Sequence, residues 1–220
     1  MSKAALLFCV AWFGLPAFAD GPRNLVLLIG DGMGPAQVKA YRMYADDPAT
    51  GLIDPLPIDP LLVGAVATDS IKLDCAGGRT TECTRVPFGT TDSASSATAY
   101  ATGRDTLVAR ISMDLEGKDL ETLLESAKKR GKATGMVVTS EITHATPAAF
   151  AAHVMHRDQK DDIADQYFDR QWSGEPMVDV LLGGGLDYLR RPDRDLVSEF
   201  QRAGYQVLSL IHIYEPTRRH

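Results

Sequence analysis

The stretch Asn24-Leu-Val-Leu-Leu-Ile29, followed at once by Gly30-Asp-Gly-Met-Gly34, decides the fold class. Apolar residues run from Leu25 to Ile29 without alternation, so neither face is reserved for water. That suits a central strand of a parallel sheet covered on both sides, and it predicts β-structure over 24–29. Working outward, Gly64-Ala-Val-Ala-Thr68 reads as a second, shorter strand, and Ala133–Thr139 and Val178–Leu182 as two more. Lys118–Arg130 places Leu120, Leu123, Leu124 and Ala127 on one face, carries its basic residues late and stops at Gly131, which predicts an amphipathic helix. Pro147 opens an Ala-rich helix. Strands alternating with helices predict an α/β fold, a three-layer α/β/α arrangement around a mostly parallel central sheet.

The bulk composition is that of a globular chain: 220 residues, 45% hydrophobic and 24% charged, enough for one domain or a large part of one. A formal net charge of -6 and the lack of Lys/Arg clusters argue against nucleic acid as a partner. Lys3, an apolar run from Ala4 to Leu15 and the small-residue pattern Ala17-Phe-Ala19 read as a secretory signal over 1–19, cut before Asp20. That run is too short for a stable membrane span, and the product is expected to be exported, periplasmic or extracellular. Removal of the signal takes Cys9 with it and leaves Cys75 and Cys83, flanking a short loop in an oxidising compartment. A loop disulfide is the expectation, against unlinked thiols or, with no His nearby, half a zinc site.

Three places carry chemistry. Asp31 follows the first strand between glycines, a hard carboxylate oxygen at a strand tip where backbone can approach closely. A cation ligand and a residue that only stabilises the turn are both compatible with that position. Thr90-Thr-Asp-Ser-Ala-Ser-Ser-Ala-Thr-Ala-Tyr-Ala-Thr-Gly103 reads as a helix capped by Asp92 or Ser93, its small residues allowing close packing. Ser93 then sits where a helix N-terminus favours an anion, as a cap only or, beside a metal, as a nucleophile. His144 and Thr146 follow another strand, and Arg157 lies shortly after the Ala-rich helix, offering paired N–H groups matched to two phosphate oxygens.

Taken together, Leu28-Ile-Gly-Asp-Gly-Met-Gly34, Thr91-Asp-Ser-Ala-Ser-Ser-Ala-Thr-Ala99, His144-Ala-Thr-Pro-Ala-Ala149 through Arg157, and Asp179-Val-Leu-Leu-Gly-Gly-Gly185 resemble the alkaline phosphatase family over about residues 23–207. The resemblance implies that Asp31 bridges a zinc and the magnesium site and that Ser93, a zinc ligand, is phosphorylated during turnover. It implies that Arg157 clamps phosphate oxygens, Asp92 orients that arginine, and Thr146 ligates magnesium. Position 144 alternates between Asp and His in the family, and His144 is expected at the third metal, directly or through water. Two Zn2+ ions and one Mg2+, small phosphate monoesters as substrates and a homodimer of the full-length enzyme complete the implied picture.

The family's members are longer, and the remaining zinc ligands lie beyond the point where this sequence stops. Residues 20–207 are therefore expected to be the N-terminal part of a truncated catalytic domain, inactive alone. Residues 208–220, Leu-Ser-Leu-Ile-His-Ile-Tyr-Glu-Pro-Thr-Arg-Arg-His, read as a non-native tail. Two other readings stand beside this one: a related phosphodiesterase or sulfatase, and a secreted module that binds an anion without catalysis.

Overall fold

A computed structural model describes residues 24–66, 70–75 and 83–208. The chain divides into two units, Met1–Gly30 and Asp31–His220. In the first, residues 24–30 form no strand, and Leu25, Val26 and Leu28 are exposed. The strand predicted over 24–29 is thus not formed. An apolar strand needs neighbours to take its N–H and C=O groups, and among the described residues this run pairs with none. The signal segment 1–19 lies outside the described residues.

The second unit contains, in order, α1 (Pro35–Ala45), β1 (Ser70–Cys75), β2 (Cys83–Phe88), α2 (Ser93–Thr102), α3 (Leu123–Lys129), β3 (Gly135–Glu141), α4 (Ala145–Ala151), α5 (Lys160–Asp169), β4 (Gln171–Trp172), β5 (Glu175–Pro176), β6 (Val180–Gly184), α6 (Leu186–Leu189) and α7 (Leu196–Arg202). The class is α/β. β3 and β6 pair in parallel, Gly135 opposite Val180 and Val137 opposite Leu182, with α4 and α5 in the connection between them. The β1/β2 and β4/β5 pairs are antiparallel, so among the described residues the parallel sheet is narrower than expected. Residues 64–66 are irregular, and Ala67 and Thr68 of that predicted strand lie outside the described residues. The backbone register sets Cys75 opposite Cys83, while the loop 76–82 between them also lies outside, as do residues 209–220 of the suspected tail.

The core forms where α2 meets α4. Ala94, Ala97, Ala148, Ala149, Ala151 and Ala152 are all buried in one cluster, and their small side chains let the two helices approach closely. Ile111, Ile163, Tyr167 and Leu196 fill the space around them with no exposure at all. α3 begins at Leu123 and not at Lys118, because Thr122 caps it: its hydroxyl accepts from Glu125 N and the Glu125 carboxylate returns to Thr122 N. Residues 114–118 instead form a turn around Asp114, whose carboxylate accepts from the amides of Glu116 and Lys118. At the end of β6 a side chain cannot replace Gly183, since a Cβ there would lie 2.6 Å from Val138 Cγ2. Gly185 follows in the left-handed region at φ 91° and turns the chain into α6.

Candidate active site

Ser93 is the first residue of α2, and Asp92 is its N-cap. The Asp92 carboxylate accepts from Ser95 N at 3.1 Å and from Ser95 Oγ at 2.7 Å through Oδ1, closing the first turn. Its other oxygen, Oδ2, faces away from the helix and accepts from Arg157 Nη1 at 3.1 Å and from Ala109 N at 3.2 Å. Burial alone would push this carboxyl up, but the bonds from Ser95, Ala109 and Arg157 outweigh it and hold the group below its ordinary range. Asp92 is therefore an anion at neutral pH. Arg157 Nη1 also donates to Ser93 Oγ at 2.9 Å, so one guanidinium nitrogen touches both the hydroxyl and the carboxylate beside it.

The second group lies where β3 ends. His144 is the N-cap residue of α4 and Thr146 stands in its first turn. Thr146 Oγ1 donates to Asp31 Oδ2 at 2.9 Å, and His144 Nδ1 lies 3.6 Å from the same oxygen. The other imidazole nitrogen, Nε2, is 3.2 Å from Arg157 Nη2. His144 thus joins the two groups, and all six residues named from the sequence, Asp31, Asp92, Ser93, His144, Thr146 and Arg157, form one continuous cluster.

A hard carboxylate oxygen, a hydroxyl and an imidazole nitrogen suit a divalent cation, with positions left for water. They are part of a shell and no more: among the described residues, no group of three or more His, Cys, Asp or Glu comes together that could hold a metal ion. The donors present fit one cation of the magnesium kind and do not make a pair of zinc sites.

Reading the sequence did not find the backbone of Ala109 at this site, nor the buried support behind it. His153, at the end of the segment that leads to Arg157, is 5% exposed, and its Nε2 lies 3.0 Å from Glu125 Oε1. The same Glu125 oxygen accepts from Arg170 Nη2 at 2.9 Å. These partners are distant in sequence, and only the capping box at Thr122 and Glu125 could have signalled Glu125.

Fold and cluster together define an α/β protein in which Asp31, His144 and Thr146 gather where the parallel strand β3 ends, beside Arg157 and the Asp92-Ser93 start of α2. The family model for alkaline phosphatase matches residues 22–211, and the chain belongs to the alkaline phosphatase family. It is 43% identical over 189 residues to alkaline phosphatase 3 of Bacillus subtilis strain 168, covering 86% of this chain and 38% of that protein. Among solved structures it is similar to a cold-active alkaline phosphatase from a psychrophilic Shewanella, with a TM-score of 0.61, 35% identity and coverage of 84% of this chain and 41% of that one. A variant of the TAB5 alkaline phosphatase, described with Mg bound in its M3 site, matches with a TM-score of 0.56, 26% identity and coverage of 78% and 42%. The chain spans about two fifths of the length of these relatives.

Proposed function

We propose that the protein of which this chain is a part hydrolyses phosphate monoesters through a phosphoserine on Ser93. The observation that carries this reading is the 2.9 Å bond from Arg157 Nη1 to Ser93 Oγ at the start of α2, with Asp92 ionised beside both. A helix N-terminus and a guanidinium then face the same point, where an incoming phosphoryl group would sit. Asp92 holds one guanidinium nitrogen through Oδ2 and closes the helix through Oδ1, so the hydroxyl and its anion-binding partner are both tied to one carboxylate.

In the first displacement Ser93 Oγ bonds to phosphorus, the bond to the alcohol leaving group breaks, and the serine proton is lost to solvent. Arg157 takes two non-bridging oxygens, giving up its hold on Ser93 Oγ as the phosphoryl group arrives. In the second, water bonds to phosphorus, the Ser93 ester breaks and inorganic phosphate leaves. A bound divalent cation supplies Lewis acidity that lowers the pKa of hydroxyl and water at this point. Asp31 and Thr146 would hold it, Mg2+ being the cation their oxygens suit, with His144 at its edge. Two Zn2+ ions are part of the same reading and need ligands beyond this cluster. Export through the segment 1–19, homodimerisation of the whole enzyme and inactivity of residues 20–207 alone belong to it too. No described helix is long and apolar enough to cross a membrane.

The deciding experiment loads the complete enzyme with metal, quenches turnover of an aryl phosphate in acid and maps phosphorylated peptides. Phosphate on Ser93, lost in Ser93→Ala together with turnover, is expected. Turnover with an unmodified Ser93 would sink the mechanism, and faster cleavage of a diester or a sulfate ester would move the substrate class.

A further inference from the structure

The segment 106–113, which no motif singled out, is bonded to both Asp92 and Arg157. Ala109 N–H donates to Asp92 Oδ2 at 3.2 Å, and Ala109 C=O accepts from the backbone N–H of Arg157 at 2.7 Å. Two residues on, Ile111 and Val154 exchange both backbone bonds, at 3.0 and 3.1 Å. Ser112 donates its N–H to Thr98 Oγ1 of α2 and its hydroxyl to Ala149 C=O of α4. Ala109 and Ser112 both stand at positive φ, 65° and 44°. Neither is a glycine, and L-residues rarely adopt this conformation without surrounding bonds to enforce it.

We infer that Ala109 is a positioning residue: its backbone N–H and C=O, held on either side of one Cα, set the distance between Asp92 and Arg157, and so the height of the guanidinium over Ser93. The inference rests on the phosphoryl-transfer reading for its purpose but not for its geometry. Asp92 Oδ2 is shared between Ala109 N–H and Arg157 Nη1, while Arg157's own main chain hangs from Ala109 C=O. The three groups form a closed ring in which the guanidinium cannot shift without breaking a bond to Asp92 or pulling on Ala109. Left-handed backbone at Ala109 is what turns its N–H and C=O to the two partners at once. A bond to a charged group in such a ring is worth more than an ordinary one.

The test replaces Ala109 in the complete, metal-loaded enzyme by lactic acid, which substitutes an ester oxygen for the N–H, and separately by glycine, which keeps both bonds and favours positive φ. Reaction of Arg157 with phenylglyoxal, followed by peptide mass, and binding of inorganic phosphate are measured on each. The ester variant is expected to react about tenfold faster at Arg157 and to bind phosphate about tenfold more weakly, with the glycine variant within about twofold of the parent. Equal Arg157 reactivity in all three proteins overturns the inference and leaves Ala109 a plain loop residue. A parent that binds no phosphate, in which the ester still frees Arg157, keeps the inference and sinks the phosphoryl-transfer reading. Should the ester variant fail to fold, hydrogen exchange in the unaltered chain decides. Common protection of the Ala109 and Arg157 amides supports the ring, and exchange of Ala109 at a free-loop rate overturns it.

Discussion

α1 and α2 are of nearly equal length, 11 and 10 residues, yet α1 has no buried residue and α2 has five. Tyr41, Met43 and Tyr44 on α1 are exposed, whereas Ala94, Ala97 and Ala101 on α2 are buried, the first two in the cluster shared with α4. The difference maps onto the site. Ser93, Asp92 and Arg157 stand on elements fixed by the core, while Asp31 precedes α1 on a stretch where Leu56 is the one described core residue before Ala94. The group of Asp92, Ser93 and Arg157 is preorganised by packing, and the group around Asp31 rests on Thr146 and His144.

The sharpest way to break this contrast is to damage the support of the rigid half. Glu125 is 2% exposed and satisfies Thr122 N, His153 and Arg170 together. In Glu125→Ala the return bond of the capping box is lost and Arg170 and His153 lose their shared partner, at a cost of about 3–5 kcal/mol. Denaturant unfolding should show it as a large fall in midpoint, and a loss under about 1 kcal/mol would mean that the network carries little. The same group predicts an acid limb. Burial would raise its carboxyl, but the bonds from His153, Thr122 and Arg170 depress it from 4.5 to about 2. A depressed carboxyl stabilises the fold above its unfolded value, so this contribution, up to about 3 kcal/mol, is complete above pH ~5 and lost as pH falls from about 4.5 toward 2. Stability of Glu125→Gln should lack that limb, which unfolding curves between those pH values measure.

Arg157→Lys tests the group of Asp92, Ser93 and Arg157 from within. An ammonium cannot touch Asp92, Ser93 and His144 at once in the way the guanidinium does at 3.1, 2.9 and 3.2 Å. Phosphate binding should weaken about tenfold while the melting temperature stays close to the parent's. Unchanged phosphate affinity would show that charge alone, and not the planar fork, is what the site uses.

How much of this was legible in the sequence follows the same division. A helix cap at Asp92 or Ser93, strands at Ala133–Thr139 and Val178–Leu182 and an Ala-rich helix at Pro147 are local patterns, and they appear as the Asp92 cap, β3, β6 and α4, with bounds shifted by about two residues. The six candidate residues were legible because short motifs carry them. What local pattern could not give was pairing. The run 24–29 is as apolar as a buried strand, yet apolarity does not supply an edge to bind, and no strand forms there. Apolar spacing continues through Leu120 and puts the start of α3 at Lys118, five residues early, whereas the Thr122 and Glu125 box fixes it at Leu123. Ala109 was invisible for a different reason: it contributes a backbone N–H and C=O, which nearly every residue has, and only its conformation singles it out.

The smallest effect on stability should come from Asp31→Ala, and it sharpens the contrast most. The Asp31 side chain is 47% exposed and its one hydrogen bond among the described residues is from Thr146 Oγ1. Removing it deletes no buried contact, so stability without metal should change by less than about 0.5 kcal/mol. The loss should appear only when cation is added. A ligand that binds the folded state raises its melting temperature by mass action, so millimolar MgCl2 should stabilise the parent and leave Asp31→Ala unmoved. Thr146→Val, which keeps the shape and removes the hydroxyl, should weaken the Mg2+ response without abolishing it, because the carboxylate remains. Equal Mg2+ responses in parent and Asp31→Ala would place the cation elsewhere. A large metal-free destabilisation by Asp31→Ala would show instead that this half of the site is anchored as firmly as the half built on α2.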